Sequence, residues 1–219
     1  MAAGKHQTSL YQLLISMGNA QPNSVFSGAD YLAWEAEQSE RHIYVRGEVF
    51  SMAGGTAEHN SAALNVALAL NQHLKGTPCK VFIGDMRLHV QAANCYYYPD
   101  VVVTCAAIDT DDPKITTLRA AKLVVEVLSP STSAFDRGDK FADYRRLETL
   151  EEYVLIDPEK GGVDVFRKGA DGLWVLHPSN TLSPEVGFAS VGWSGVVFDL
   201  VADAQKALAS SSAVASTEI

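Results

Sequence analysis

Residues 123–128, LVVEVL, constrain the fold of this chain more than any other segment. Every residue except Glu126 is apolar, so the segment is predicted to be a buried β-strand. A carboxylate buried in such a strand is unfavourable unless a cation or hydrogen-bond donors compensate its charge. The fold must therefore supply a partner for Glu126.

The segments before this strand predict two helices and several strands. Ser27 can cap a first helix through GADYLAWEAEQ, and a longer helix follows Thr56 because apolar residues recur at helical spacing as far as Leu74. HIYVRGEVFSM is predicted to be a hairpin around Arg46-Gly47. Two further strands are predicted from β-branched and aromatic residues, over CKVFIGDMRLHV and YYYPDVVVT.

The segments after it predict one helix and three strands. SAFDRGDKFADYRRLE has the polar and apolar spacing of a helix, EYVLIDP reads as a strand, and VDVFRKGADGLWVLH reads as a hairpin that turns at 170–172. This order of elements predicts an α/β (α+β) fold in which helices flank a central mixed β-sheet.

Length and composition indicate one domain. The 219 residues are 47% hydrophobic, which is enough for one sizeable core. We assign residues 27–205 to this domain, residues 1–26 to an N-terminal extension and residues 206–219 to an Ala/Ser-rich tail. Both ends are expected to be flexible or peripheral.

Charge and cysteine content narrow the classes of function. The net charge of -9 argues against a broad basic surface for nonspecific nucleic-acid binding, although it allows a local basic cleft. The three cysteines have no metal-site spacing, so we expect neither a disulfide framework nor a zinc site, and we expect a reducing compartment. The N-terminal apolar stretch is too short to span a bilayer, so the chain is expected to be soluble and cytoplasmic.

Two carboxylates form a candidate metal site. Asp100 follows Pro99 at the start of the apolar strand 101–103, and Glu126 lies within the later apolar strand, so the two acids are predicted to lie on neighbouring strands. Oxygen ligands of this kind suit Mg²⁺, or Mn²⁺ in its place, better than zinc. Alternatively, Asp100 caps a turn after proline and Glu126 pairs with an arginine.

A lysine follows on the next predicted helix. Asp136, Lys140 and Tyr144 are spaced by four residues, so they share one helical face, and Lys140 can lean over the two acids. Its ammonium group there could orient an attacking water and offset charge on a phosphate. The alternatives are a surface ion pair of Asp136 with Lys140, helix capping by Asp136 and core packing of Tyr144.

Two segments of the chain resemble the Uma-type family of candidate endonucleases. They are YYYPDVVV and KLVVEVLSPSTSAFDRGDKFADYRRLETLEEYVLIDP. This family belongs to the PD-(D/E)XK, or restriction-endonuclease-like, superfamily, and the resemblance spans residues 28–200. It implies a restriction-endonuclease-like core in which Asp100 and Glu126 are the two acids of the motif. The superfamily lysine falls two residues after the glutamate, where this chain has Leu128. The resemblance implies that Lys140 takes that role.

The same family pattern implies two upstream site residues, Glu48 and His59. Glu48 would complete the metal shell or hold Lys140, and the alternative is an exposed strand carboxylate after a turn. His59 would face the site as a base or phosphate contact, whereas a histidine near a helix start more commonly faces solvent.

These residues lead to a Mg²⁺-dependent endonuclease that hydrolyses phosphodiester bonds of DNA, with Asp100, Glu126 and Lys140 at its centre. The alternative is a catalytically inactive domain of the same fold that binds nucleic acid or protein. A weaker third possibility is a metal-dependent hydrolase of a small phosphoester. A two-fold homodimer would suit cleavage of both strands of a duplex.

Overall fold

The computed structural model describes residues 27–52 and 54–201. The predicted N-terminal extension and Ala/Ser-rich tail lie outside these residues. The helices are α1 (Gly28–Glu35), α2 (Ala57–His73), α3 (Ala107–Thr110), α4 (Ser133–Arg137), α5 (Asp139–Tyr144) and α6 (Val197–Leu200).

Thirteen strands are present among the described residues. They are β1 (His42–Val45), β2 (Glu48–Ser51), β3 (Lys80–Ile83), β4 (Arg87–Val90), β5 (Cys95–Tyr97), β6 (Val101–Thr104), β7 (Thr117–Leu118), β8 (Leu123–Val127), β9 (Glu152–Asp157), β10 (Gly162–Lys168), β11 (Trp174–Asn180), β12 (Glu185–Phe188) and β13 (Trp193–Val196).

The strands form three sheets rather than one central sheet. A six-stranded sheet has the order β11-β10-β9-β8-β6-β3, a five-stranded sheet has the order β2-β1-β5-β4-β7, and β12 pairs with β13. Strand β8 lies in the middle of the six-stranded sheet, antiparallel to β6 and parallel to β9. The mixed α+β class predicted from the sequence is confirmed.

Two core clusters cover the two faces of the six-stranded sheet. One contains side chains of the five-stranded sheet and of α4 and α5, together with Val102, Val124 and Leu155 of the six-stranded sheet. The other contains α2, α6 and the alternate residues Val101, Val103, Val125 and Val127, among others. Because both faces are covered, all five residues of β8 are buried.

Two long predicted strands are each divided between different sheets. CKVFIGDMRLHV forms β3 and β4, which are separated by a turn where Gly84 has a φ of 55°. Similarly, YYYPDVVVT contributes Tyr96 and Tyr97 to β5 and residues 101–104 to β6. β-Branched and aromatic residues predict extended backbone, but they do not say which sheet a strand joins.

The third predicted helix is also interrupted. Gly138 separates α4 from α5 with a φ of -109° and a ψ of -101°. Both predicted hairpins are present, with Arg46 and Gly47 at positive φ in the first turn and Gly172 at positive φ in the second.

A disulfide joins Cys79 to Cys105, contrary to the sequence-based expectation. Lys80 of β3 pairs with Thr104 of β6, so the two cysteines lie opposite each other just beyond the paired residues. A separation of 26 residues hides this proximity in the sequence. Cys95 is a free, buried cysteine. The expectation of a reducing compartment rested on the absence of a disulfide, so the cysteines no longer support it.

Among the described residues, no helix has both the length and the apolar content that a membrane crossing requires.

Candidate active site

Asp100 and Glu126 lie opposite each other at one end of the six-stranded sheet. Val101 of β6 pairs with Val125 of β8, and continuing this antiparallel register by one residue aligns Asp100 with Glu126. Asp100 itself lies in a bend just before β6, and its carboxylate accepts a hydrogen bond from the backbone N–H of Val127, the residue that follows Glu126 in β8. Both acids also line one cleft. Strand register thus brings together two carboxylates that are 26 residues apart in the chain.

Glu126 is held by two donors from α5. Lys140 Nζ lies 2.8 Å from Glu126 Oε1, and the Tyr144 hydroxyl donates to the same oxygen at 2.9 Å. Only 3% of Glu126 is exposed, and this burial raises the pKa of its carboxyl to about 8, against the opposing effect of the Lys140 charge. The buried carboxylate required by the sequence thus has a lysine and a tyrosine as its partners.

Lys140 lies between two buried acids. Its Nζ contacts Asp136 Oδ1 at 3.1 Å as well as Glu126, and it lies 5.9 Å from the centre of the Tyr97 ring. Burial opposes its charge, but Asp136 and Glu126 more than compensate and keep its pKa above the usual value. Although Gly138 interrupts the helix, Asp136, Lys140 and Tyr144 still meet around Glu126.

Asp100 is fixed by the neighbouring strand and by α2. Its Oδ2 accepts a hydrogen bond of 2.7 Å from the backbone N–H of Val127, and His59 Nε2 lies 3.2 Å from the same oxygen. Thr56 caps α2 by accepting from the N–H of His59, which places the histidine in the first turn of that helix. The hydrogen bond with Asp100 raises the pKa of His59. His59 therefore faces the cleft rather than open solvent.

The cleft has a volume of about 290 Å³. Its charged and imidazole groups are Asp100, Glu126, Asp136, Lys140 and His59. Loop residues at 54–56 and 129–132 form its rim. Three acidic side chains thus share the cleft with one lysine and one histidine, and carboxyl oxygens are the ligands that hard cations take.

Glu48 lies away from this cleft. It is exposed at the start of β2 and pairs across the hairpin with Val45, whereas Ser51 at the other end of β2 lines the cleft. At about 3.4 Å per residue, Glu48 and Ser51 are separated by roughly 10 Å along the strand. The structure does not bring Glu48 together with the other predicted site residues, so the cleft is formed without it.

The carboxylates retain free oxygens that suit a hard cation. Within the described residues, both contacts of Asp100 fall on Oδ2 and both contacts of Glu126 fall on Oε1. Ser190 Oγ is the one fully buried and unpaired side-chain oxygen or nitrogen in this part of the chain, so Asp100 Oδ1 and Glu126 Oε2 are not sealed from solvent, and both residues line the cleft. No group of three or more His, Cys, Asp or Glu residues among those described is arranged to hold a metal. Mg²⁺ is commonly held by one or two carboxylates, with water and phosphate as its other ligands, so these two acids fit it.

Sequence reasoning missed a partly buried network that supports α5. Asp143 accepts a bidentate pair from Arg46, at 2.6 and 3.2 Å, and a hydrogen bond of 2.7 Å from the Tyr97 hydroxyl. It thereby ties α5, which carries Lys140, to the first hairpin and to β5. The sequence signal for this network was an acid three residues after Lys140, on the apolar side of the helix.

A second missed network lies beside the cleft. The Tyr98 hydroxyl donates to Glu35 Oε1 at 2.9 Å, and His42 Nδ1 lies 3.0 Å from Glu35 Oε2. Tyr98 itself lines the cleft. No local pattern connects Glu35 with Tyr98, because their contact depends on how α1 packs against the sheet.

Comparison with known proteins assigns the family. The sequence model of the Uma2 family, described as "Putative restriction endonuclease", matches residues 29–196. The chain belongs to the Uma2 family. The resemblance found in the sequence motifs is thereby confirmed.

Relatives of this Uma2 protein include proteins of Synechocystis sp.. Two proteins of Synechocystis sp., both named as uncharacterized, are 34% and 31% identical to it. The alignments cover 74% and 75% of this chain and 85% and 93% of the relatives. A crystal structure from Anabaena variabilis, titled as a putative nuclease belonging to DUF820, superposes with a TM-score of 0.67 at 17% identity. That match covers 82% of this chain and 97% of the other, and it confirms the fold.

Proposed function

We propose that this Uma2 protein is a Mg²⁺-dependent endonuclease that hydrolyses phosphodiester bonds of DNA. One observation carries the proposal: Asp100 and Glu126, at the neighbouring ends of β6 and β8, line one cleft with a buried, charged lysine, and one carboxyl oxygen of each has no hydrogen bond or ion pair within the described residues. A carboxylate pair with an adjacent lysine suits phosphodiester hydrolysis, because the reaction needs a bound cation and an oriented water.

Asp100 and Glu126 would hold the cation through their free oxygens. The cation, Mg²⁺ or Mn²⁺, would supply positive charge that polarises the scissile phosphate. The hydrogen bond from the Val127 N–H fixes the Asp100 carboxylate, and the Tyr144 hydroxyl fixes that of Glu126, so both are oriented before any ligand arrives.

Lys140 would orient the attacking water. An ammonium group has three N–H donors, and Glu126 and Asp136 accept two of them. The third donor remains for a water or a phosphate oxygen in the cleft. Because its pKa is raised, Lys140 keeps its proton during turnover and acts as a positioned charge rather than as a base.

His59 is expected to contact the phosphate, and His59→Gln tests this role. The Asp100 carboxylate raises the pKa of His59, so a larger fraction of the ring is charged at neutral pH than for an isolated histidine. Losing one charge-assisted hydrogen bond should raise KM for DNA by about tenfold while kcat changes less. Steady-state cleavage rates at several DNA concentrations would separate the two constants. A kcat that fell while KM stayed constant would instead assign His59 to the chemical step.

Metal affinity is expected to depend on pH through Glu126. With a pKa of about 8, its carboxyl holds a proton over much of the neutral range, and a cation must displace that proton. The apparent Kd for Mg²⁺ should therefore fall as pH rises towards 8, by up to about tenfold per pH unit, and level off above it. Calorimetric titration in buffers of different ionisation enthalpy would measure both the affinity and the released proton. If Glu126→Gln kept the same pH dependence, another group would be its source.

The direct test of the function is cleavage of circular single-stranded and double-stranded DNA by wild type beside Glu126→Gln. We expect wild type to convert circular DNA to linear products in Mg²⁺ or Mn²⁺ and to leave it intact in excess chelator. Equal cleavage by the two proteins would point to a contaminating nuclease. No cleavage of either DNA by the wild-type protein would favour an inactive binding domain of the same fold.

A further inference from the structure

A second depression adjoins the candidate active site. This groove, of about 300 Å³, lies between the first turns of α2 and the end of β3, and it shares His59 and Asp100 with the cleft. A ligand that crosses Asp100 from the cleft would therefore enter the groove next. Its volume is at the lower end of the range of small-molecule sites.

The walls of the groove are apolar and exposed. Leu64 of α2 is 51% exposed and Ile83 of β3 is 53% exposed, and both line the groove together with Ala63. Asn60 and Ser61 add polar side chains to the lining. Apolar side chains with a few polar groups beside them are the kind of surface that receives a nucleobase outside its stack.

Because the chain has a net negative charge, an apolar contact with a base would add affinity for DNA that its charge does not supply. Proteins that bind DNA through the phosphate backbone depend on many lysines and arginines, but this chain has 17 of them against 26 acidic residues. The cleft itself has, among the described residues, three acidic residues and only Lys140 and His59 as basic groups. Affinity for DNA at this site must therefore come from the bound cation and from contacts with groups other than the phosphates.

We propose that the groove between Leu64 and Ile83 binds one unpaired nucleobase next to the scissile phosphate. The inference rests on the proposed nuclease function and narrows its substrate to single-stranded DNA or to DNA with an unpaired base. In a continuous duplex the bases are stacked and paired, and extruding one costs free energy that an unpaired strand does not pay.

The test is a comparison of Leu64→Gln with Leu68→Gln. Leu68 is one helical turn further along α2 and similarly exposed, at 57%, but it does not line the groove. The Kd for a fluorescent single-stranded oligonucleotide would be measured by anisotropy in Ca²⁺, beside cleavage in Mg²⁺. Loss of one leucine contact should raise the Kd by about tenfold in Leu64→Gln, whereas Leu68→Gln should stay within about twofold of wild type.

An abasic site moved along the oligonucleotide identifies the bound base. At one position, the abasic site should weaken binding to the wild-type protein about as much as Leu64→Gln weakens binding to intact DNA. The same abasic site should weaken binding to Leu64→Gln little further, because both changes remove the same contact. Both substitutions are at exposed positions, and circular dichroism would confirm that the variants fold.

Three results would overturn parts of this inference in distinguishable ways. If wild type cleaves DNA but neither Leu64→Gln nor any abasic position affects binding, the base site is wrong and the nuclease stands. If Leu64→Gln changes the mass found by light scattering, a second copy of the chain covers the groove and the base site is again wrong. If binding shows the expected coupling but no metal supports cleavage, the groove binds a base and the proposed catalytic function fails.

Discussion

Replacing Glu126 with Gln is expected to lower DNA cleavage by about 100- to 1,000-fold and to weaken Mg²⁺ binding. The substitution keeps the shape of the side chain, and the amide oxygen can still accept from Lys140 and Tyr144. The other end of the amide then presents an N–H₂ group where the carboxylate presented a free oxygen. An N–H donor repels a cation, so the metal loses one of its two protein ligands.

The same substitution should leave the fold intact. Because burial raises the pKa of Glu126 to about 8, the neutral carboxyl is already well populated at neutral pH, and glutamine resembles that form. Thermal unfolding should therefore change little while activity is lost. Glu159→Gln removes a carboxylate at an exposed position and serves as the control. Full activity in Glu126→Gln would remove Glu126 from the chemistry and leave it as a structural partner of Lys140.

The sequence predicts the centre of this fold because local patterns determine it. The apolar segment around Glu126 forms β8 as predicted, since both of its faces are buried. The hairpins form because Arg46-Gly47 and residues 170–172 supply turn conformations locally. Asp136, Lys140 and Tyr144 converge because residues four apart still lie on the same side of the chain, although Gly138 interrupts the helix between them.

The remaining features depend on which segments pair. Nothing local distinguishes β3 from β4, yet they belong to different sheets, and the Cys79–Cys105 disulfide follows from the pairing of β3 with β6. Strand pairing also decides which of the candidate acids lie together. Asp100 meets Glu126 because the register of β6 and β8 aligns them, whereas Glu48 lies at the turn end of its strand. Each of these facts requires strand pairing, which a single sequence does not specify.

Lys140→Met is expected to lower kcat by about 100-fold while the Kd for Mg²⁺ changes by less than about tenfold. Methionine retains the apolar length of the side chain beside Tyr97 but removes all three donors. Two opposing effects act on the metal. The lost positive charge no longer repels the cation, but it also no longer lowers the pKa of Glu126, so the competing proton binds more tightly. In contrast, the attacking water loses the ammonium group that orients it, so kcat falls.

Folding and catalysis must be separated in this variant, because it leaves Glu126 and Asp136 without their buried cation. Removing one partner of a buried ion pair costs about 3–5 kcal/mol. The double variant Asp136→Asn/Lys140→Met also removes the Asp136 carboxylate, and Glu126 takes up a proton more readily without Lys140, so the variant should recover stability but not kcat. Lys122→Met is a control for activity, since Lys122 also pairs with a glutamate, Glu151, but in a partly exposed pair at the opposite end of β8. If the double variant were as stable as wild type and cleaved DNA at the wild-type rate, Lys140 would only balance charge, and the water would have to be oriented by another group in the cleft.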